Sequence, residues 1–266
     1  MVPDRNPIEH SNALLAAGRG HEALTYLNAV VESMTRNLSS VANMRVRVLV
    51  QLFEEAATLG NEAECRTHFH ALRAIYKDKD LKDQRVEARY FRAIFAMRNA
   101  PVPMERKHRH MELVTQLRSV FDLDGDIAEC GCFRGLSSWM ICETLNEEAG
   151  GFDGTGFHIF DSFAGLSEPL PEDLVTAETG DSERLAEMMS KGRFAYPEEK
   201  VRRNLAAFPG IAYHAGWLPQ SLEGQPERRY RFIHLDVDLY DPTLGALDYF
   251  YPRLVKGGAI LSDDYG

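Results

Sequence analysis

Two pairs of acidic residues near the end of the sequence have the chemistry to hold a divalent cation. Asp236 and Asp238 follow the apolar run that starts at Phe232, and Asp263 and Asp264 follow a later apolar run. If both runs are parallel strands of one sheet, the two pairs emerge at the same edge, where carboxylates repel each other unless a positive charge joins them. Mg²⁺ prefers oxygen ligands and is often held by a few carboxylates together with substrate oxygens. The pattern therefore predicts a magnesium site; solvated loop acids without a metal are the alternative.

A second segment whose residues could form a functional site is 126–138, which reads DIAECGCFRGLSS. A short apolar run ends in Glu129, a turn containing Gly131 and Gly135 follows, and an amphipathic run begins at Ser137. Strand, turn and helix in this order form the first unit of a doubly wound α/β fold, which binds ligands beyond the carboxyl ends of its strands. We expect the glycines to leave room for a ligand beside the backbone, and the first helical turn to offer N–H groups to an anion.

The spacing of this turn favours S-adenosylmethionine over a dinucleotide. A dinucleotide needs the G-x-G-x-x-G pattern so that its pyrophosphate can approach the backbone, but here Phe133 and Arg134 fill the middle of the turn. S-adenosylmethionine has no phosphate, and its ammonium and carboxylate groups suit an acid at a strand end and a helix N-terminus. A nicotinamide-dependent oxidoreductase is disfavoured for the same reason, while a turn that only packs remains the alternative.

Three further residues are assigned to the cofactor site because they follow predicted strands. Asp161 closes the second apolar run, where an acid typically accepts hydrogen bonds from ribose hydroxyls, and Ser162 comes directly after it. Trp217 follows the third run, and its ring could either stack on adenine or plug the seam between helix and sheet. His158 alternates with apolar residues of the second run, so we interpret it as a core histidine rather than a catalytic base.

Composition excludes several classes of partner. The chain has 266 residues and a formal net charge of −10, which argues against a nucleic-acid binder because such proteins need a basic face. No apolar run is long enough to cross a bilayer, so no membrane partner is expected. The first six residues lack the apolar core of a signal peptide, and the four cysteines lack the paired spacing of a zinc site. Reduced cysteines and a cytoplasmic location are the corresponding expectations.

The first hundred residues have the periodicity of helices and contain no convincing strand pattern. Apolar residues recur at helical spacing between Ala23 and Ile75, and glycine-containing turns interrupt them. The segment AAGRGHEALTYL resembles one turn of a tetratricopeptide repeat, but no second copy follows at a fixed period. We therefore predict a helical N-terminal region, residues 1–100, made of helical hairpins. Its role is either a packing or homo-oligomer surface, or a lid or partner-docking module.

The segment 100–103, Ala-Pro-Val-Pro, predicts a domain boundary, because proline removes a backbone donor and disfavours helix in the preceding residue. The second domain then covers residues 104–266. It starts with a predicted helix over 105–121 whose basic cluster, 106–110, is either a solvated helix end or a basic rim over the site. The long acidic stretch between 171 and 197 predicts a mobile cover over the ligand.

The order of these patterns predicts the fold class: a doubly wound, mostly parallel Rossmann-like α/β sheet preceded by an all-helical N-terminal region. Five apolar runs with intervening helical patterns account for the sheet. The sequence stops at Gly266, directly after the fifth run. We therefore expect that a truncation has removed C-terminal strands, or that a partner chain covers the fifth strand, which would otherwise be an open edge.

Three segments of the second domain resemble the macrocin O-methyltransferase family: GDIAECGCFRGLSSWM, FDSFAGL and HLDVDLYDPTLGALDYFYPRLVKGGAILSDDYG. The resemblance covers about residues 105 to 266 and leaves out the N-terminal helices. It implies an S-adenosylmethionine-dependent methyltransferase fold and the methylation of hydroxyl groups on sugars of natural products. Leu136 stands where the family commonly has a second glycine, and Cys132 and Phe133 replace its usual Val-Trp.

The resemblance also implies roles for individual residues. The residues that match the family's cofactor-binding positions are Glu129, Gly131, Arg134, Gly135 and Asp161. Those that match its metal-binding aspartates are Asp236, Asp263 and Asp264.

The sequence therefore predicts a Mg²⁺-dependent O-methyltransferase acting on a hydroxyl of a small molecule, with a sugar as the expected acceptor. The metal would bind two vicinal oxygens and lower the hydroxyl's pKa, and Asp236 would be both a ligand and the proton acceptor. The alternative from another class is a catalytically silent scaffold whose helical region binds a partner.

Overall fold

The structure is a computed structural model that describes residues 6–33, 39–75, 84–98, 107–174 and 186–263. The predicted break at 100–103, the middle of the predicted cover at 175–185 and Asp264 lie outside these residues. Contacts between Cα atoms divide the chain into two units, Met1–Lys107 and His108–Gly266. None of the described helices has the length and apolar composition needed to span a membrane.

Every regular element described in the first unit is a helix. Neighbouring helices pack in sequence order, first with second, second with third and third with fourth. Buried aliphatic residues between the first three helices form one core: Leu14, Ala23, Leu27, Val30, Val41, Met44, Val48 and Leu52. The helices are α1 (Pro7–Ala16), α2 (Gly20–Ser33), α3 (Ser39–Thr58), α4 (Glu62–Ile75) and α5 (Gln84–Ala96).

The second unit alternates strands and helices around one five-stranded sheet. Each strand pairs in parallel with its neighbours, and the spatial order is β3-β2-β1-β4-β5. The helices and strands, in chain order, are α6 (Lys107–Ser119), β1 (Asp126–Cys130), α7 (Leu136–Ala149), β2 (Phe157–Asp161), α8 (Glu198–Asn204), β3 (Ala212–Ala215), β4 (Tyr230–Leu235), α9 (Tyr240–Phe250) and β5 (Leu254–Ser262).

The chain reverses its direction of travel across the sheet once, and the strand order places this reversal between β1 and β4. The first three strands run outward from β1 to one edge, and β4 and β5 then run outward to the other. Doubly wound sheets bind their ligands in the crevice at this reversal. The central strands are apolar and buried along most of their length, as expected when both faces of a parallel sheet are covered.

The backbones of β1 and β4 come unusually close just beyond their carboxyl ends. The backbone N–H of Asp236 donates to the carbonyl of Cys130 at 2.9 Å, and Gly131 follows with a φ of +81°. A Cβ added to Gly131 would lie 1.9 Å from the carbonyl oxygen of Asp236. Only glycine fits at this position, so the close approach depends on one residue.

Replacing Gly131 with alanine should therefore destabilise the second unit by more than the cost of placing alanine at a positive φ. Gly150 is a matched control, because its φ is +68° and an added Cβ would have no atom within 4 Å. We expect Gly150→Ala to lower the free energy of unfolding by about 1–2 kcal/mol. Gly131→Ala should lower it by a further ~1–3 kcal/mol from overpacking. Denaturant titration followed by circular dichroism measures both; equal losses would contradict the steric explanation.

Candidate functional site

Parallel pairing brings the predicted site residues of four strands to one edge of the sheet. Cys130 is in register with Phe160 of β2 and with Leu235 of β4, and Leu235 is in register with Ser262 of β5. The residues that follow these positions therefore emerge together: Gly131, Asp161, Asp236 and Asp263. The arrangement that the sequence predicted for strand ends is present at the reversal of the sheet.

Glu129 lies below this edge and is fully buried. One carboxylate oxygen accepts a short hydrogen bond from the Ser138 hydroxyl, and the other lies 2.9 Å from Nδ1 of His234. Burial alone would lower the pKa of His234, but the hydrogen bond and negative charge of Glu129 raise it overall. With its carboxylate enclosed in this way, Glu129 holds the turn in place, and its contact with a cofactor stays a prediction.

Other parts of the protein lie where the two turn glycines would carry a side chain. Gly131 faces the backbone of Asp236, as described above. Gly135 has a φ of +89° at the start of α7, and an added Cβ would lie 3.3 Å from the side chain of Leu205. These glycines thus allow the turn to pack closely, a role that the sequence interpretation of them as room for a ligand did not include. Their place in the cofactor site stays a prediction.

Asp161 connects the end of β2 to the same turn. Its Oδ2 accepts hydrogen bonds from the backbone N–H groups of Cys132 at 2.7 Å and Phe133 at 3.2 Å, and its Oδ1 accepts from Phe163 at 2.7 Å. A carboxylate has about four acceptor positions, so one remains for a hydroxyl group. Asp161 can therefore fix the turn and still accept a hydrogen bond from a ligand.

Ser162 and Trp217 both bind the carbonyl of Gly165. The hydroxyl of Ser162 donates to it at 2.7 Å and Nε1 of Trp217 at 2.9 Å. The Trp217 side chain is nevertheless 42% exposed, so it does not plug the seam between helix and sheet. It lines a cleft of about 360 Å³, together with Asp173 and Asp241 among others. Of the two roles considered for Trp217, stacking against a ligand fits its exposure better.

Arg134 and Ser137 occupy the outer part of the turn and the first turn of α7. The Arg134 guanidinium lies over the rings of Phe133 and Tyr196, at 5.1 and 5.7 Å from their centroids. Its backbone carbonyl accepts a hydrogen bond from the side chain of Asn204 at 2.9 Å. Ser137 is half-buried. Contact of these two residues with a cofactor stays a prediction.

The acids after β4 and β5 are neighbours, and one of them already has a cationic partner. The backbone N–H of Asp263 donates to the carbonyl of Leu235 at 2.8 Å, next to Asp236. The Asp263 side chain is 13% exposed, and its Oδ2 lies 2.5 Å from a guanidinium nitrogen of Arg109 on α6. Of the two interpretations of the basic cluster, a rim over the site therefore holds for Arg109. The third predicted ligand, Asp264, lies outside the described residues.

His158 has the role of a core histidine, as the sequence indicated. It is 4% exposed, with Nε2 3.2 Å from a carboxylate oxygen of Asp126 and Nδ1 3.0 Å from Nε2 of His214. Burial lowers the pKa of His158, because the charged form loses its hydration. Both ring nitrogens face partners within the sheet, so His158 is not available as a general base.

The sequence did not indicate Ser138 or His234 as residues that organise this site, and it indicated Arg109 only as part of the basic cluster 106–110. Ser138 and His234 hold the buried Glu129, and Arg109 binds Asp263. His234 could have been found only after β1 and β4 were paired, because register places it directly opposite Glu129. Arg109 could have been proposed from the basic cluster, but its partner lies more than 150 positions away.

Comparisons with known proteins point to one enzyme family. The family model described as macrocin O-methyltransferase matches residues 40–266. The chain is 36% identical over 146 residues to 8-demethyl-8-(2,3-dimethoxy-alpha-L-rhamnosyl)-tetracenomycin-C 4'-O-methyltransferase of Streptomyces olivaceus, covering 53% of each chain. It is 28% identical over 148 residues to demethyldecarbamoylnovobiocin O-methyltransferase of Streptomyces niveus, covering 54% of each. The chain thus spans about half the length of the curated relatives it matches.

A solved structure shows the same fold. The crystal structure of a calicheamicin methyltransferase superposes with a TM-score of 0.50 at 20% identity, covering 70% of this chain and 84% of that one. The family match also corrects one expectation, since it begins at residue 40 and so includes α3, α4 and α5, which the sequence resemblance left out. Because the matched region is most of the sequence, the chain belongs to the macrocin O-methyltransferase family.

Proposed function

We propose that this chain is an O-methyltransferase that moves a methyl group from S-adenosylmethionine to a hydroxyl of a small molecule, namely a sugar of a natural product. The observation that carries the proposal is the convergence of the turn after β1, Asp161, Asp236 and Asp263 at one edge of the sheet. The relative from Streptomyces olivaceus is named for methylation of a rhamnosyl-bearing compound, which supports a sugar acceptor.

The residues at this edge fit S-adenosylmethionine. The turn between β1 and α7 is held from β2 by Asp161, which keeps an acceptor position for a ribose hydroxyl. The half-exposed ring of Trp217 offers an apolar face beside the cleft, and the first turn of α7 offers backbone N–H groups to a carboxylate. A ribose hydroxyl, the adenine ring and the carboxylate of the cofactor thus each have a complementary group in the chain.

Asp236 and Asp263 fit Mg²⁺, because hard cations prefer carboxylate oxygens and these two residues are neighbours at the sheet edge. Asp264, known here from the sequence only, would be a third ligand. Bound there, Mg²⁺ would polarise the acceptor oxygen and lower the pKa of its hydroxyl. Since Arg109 pairs with one oxygen of Asp263, its guanidinium competes with a metal ion for this carboxylate.

The chain's own residues then have three tasks. The turn and Asp161 hold the methyl donor, and Asp236 and Asp263 would orient the acceptor through the bound ion. Asp236 takes the proton from the acceptor hydroxyl as the oxygen forms its bond to the methyl carbon and the carbon–sulfur bond breaks. The products are the methyl ether, S-adenosylhomocysteine and a protonated Asp236, which returns its proton to solvent.

Titration calorimetry should detect binding of S-adenosylmethionine and no binding of NAD. Asp161→Ala should weaken binding by about 1–3 kcal/mol, because groups that Asp161 satisfies would lose their partner. Asp161→Asn keeps an acceptor oxygen and should lose less. Asp153→Ala, which removes an exposed loop carboxylate from the same unit, should leave the affinity unchanged. Equal affinity of parent and Asp161→Ala would remove Asp161 from the cofactor site, and a parent that binds no cofactor would favour the scaffold alternative.

Asp236→Asn should abolish turnover with a glycoside acceptor while S-adenosylmethionine binding survives, because a ligand charge and the proton acceptor disappear together. Asp263→Asn should instead raise the Mg²⁺ concentration needed for activity. Release of S-adenosylhomocysteine measures both. Full activity in EDTA, or an Asp236→Asn variant as fast as the parent, would show the metal mechanism to be wrong.

Arg109→Gln should increase the affinity for Mg²⁺, since the guanidinium that competes for Asp263 is gone. Arg118→Gln is the matched control, because Arg118 is a cation on the same helix but pairs with Glu148 and not with Asp263. Calorimetric titration with Mg²⁺ needs no acceptor, so this measurement is independent of substrate identity. Equal effects of the two variants would indicate a general charge effect rather than competition at Asp263.

A further inference from the structure

Two histidines and one glutamate form a cluster in the helical unit, away from the sheet. Glu64 and His68 lie four residues apart on α4, and His21 lies in the first turn of α2. Residues spaced by four in a helix share one face, so α4 presents its two side chains together. One oxygen of Glu64 lies 2.8 Å from Nε2 of His21 and 3.6 Å from Nε2 of His68.

The distances fit a tetrahedral metal. One ligand atom from each of the three residues lies within 4.8 Å of the other two. Zinc ligands at about 2.0–2.1 Å from the ion are separated from one another by about 3.4 Å in a tetrahedral site. The separations within the cluster bracket this value. Histidine nitrogens and a carboxylate oxygen are ordinary zinc ligands.

The second, independent observation is the state of His68. Its side chain is 6% exposed, and its Nε2 has no hydrogen-bond partner, since the Glu64 oxygen lies beyond hydrogen-bonding distance. A buried polar atom without a partner costs free energy. A metal would satisfy it.

The surroundings of the cluster orient Glu64 toward the histidines. The side-chain amide of Asn61 donates to the other Glu64 oxygen at 2.8 Å, as second-sphere partners of metal ligands commonly do. The arginines nearest in sequence pair elsewhere, Arg19 with Glu22 and Arg66 with Glu62, so neither neutralises Glu64.

We propose that His21, Glu64 and His68 bind one Zn²⁺ ion, with a solvent molecule as the fourth ligand. The ion joins α2 to α4, which both pack on α3, and so stabilises the helical unit. The four cysteines are buried and offer no competing exposed thiolate. This site is separate from the acids at the sheet edge and does not depend on the proposed methyl transfer.

The test is a Zn²⁺ titration of the full chain after EDTA treatment and dialysis, with Mg²⁺ in excess to occupy the sheet site. The parent should bind one Zn²⁺ and melt at a higher temperature when loaded. His21→Ala is the informative variant, because His21 is 67% exposed and its loss should not disturb folding. Since second-sphere changes already cost about 10–100-fold in metal affinity, loss of this ligand should cost at least about 100-fold.

His70→Ala provides the matched control, because His70 is an exposed histidine on α4 that does not belong to the cluster. It should bind Zn²⁺ as the parent does, and S-adenosylmethionine affinity should be the same in all three proteins. Co²⁺ substitution should give the visible absorption of a four-coordinate ion in the parent and in His70→Ala only. No Zn²⁺ binding by the parent would overturn the proposal, as would equal losses in both variants or loss of the ion in Asp263→Asn.

Discussion

The buried carboxylate of Glu129 is the interaction on which the arrangement of the second unit depends. A buried charge without partners costs several kcal/mol, so folding requires groups that satisfy it. Those groups come from two other elements, Ser138 of α7 and His234 of β4. Glu129 therefore fixes β1, α7 and β4 relative to one another at the point where the sheet reverses. The close passage of Gly131 against the backbone of Asp236 follows from this alignment.

The turn that results is held from two directions. Glu129 anchors both of its flanks from within the core, and Asp161 binds the N–H groups of Cys132 and Phe133 from β2. Neither anchor needs a ligand to form. A binding turn whose backbone is fixed in advance loses little conformational entropy when it binds, which is how a scaffold contributes to affinity without touching the ligand.

The sequence indicated which residues lie at strand ends, because apolar runs that stop at an acid are a local pattern. It also separated His158 from the catalytic candidates, since alternation with apolar neighbours placed it inside the sheet. It could not assign the partners of Glu129, because His234 becomes its neighbour only through strand register across 105 positions. The sequence also could not show that the backbone of another strand excludes a side chain at Gly131, because that contact exists only in the tertiary structure.

The same limit applies to charge balance at the sheet edge. Clustered carboxylates need a positive charge, but the sequence does not say whether an ion or a side chain supplies it. In the structure Arg109 does so for Asp263. The Arg109 side chain is 40% exposed and Asp263 only 13%, so the arginine can return to water at low cost while the aspartate cannot. A cation that takes the place of Arg109 at Asp263 must displace the arginine outward. Because Arg109 lies in the first turn of α6, binding of a cation to the acids is linked to the position of that turn.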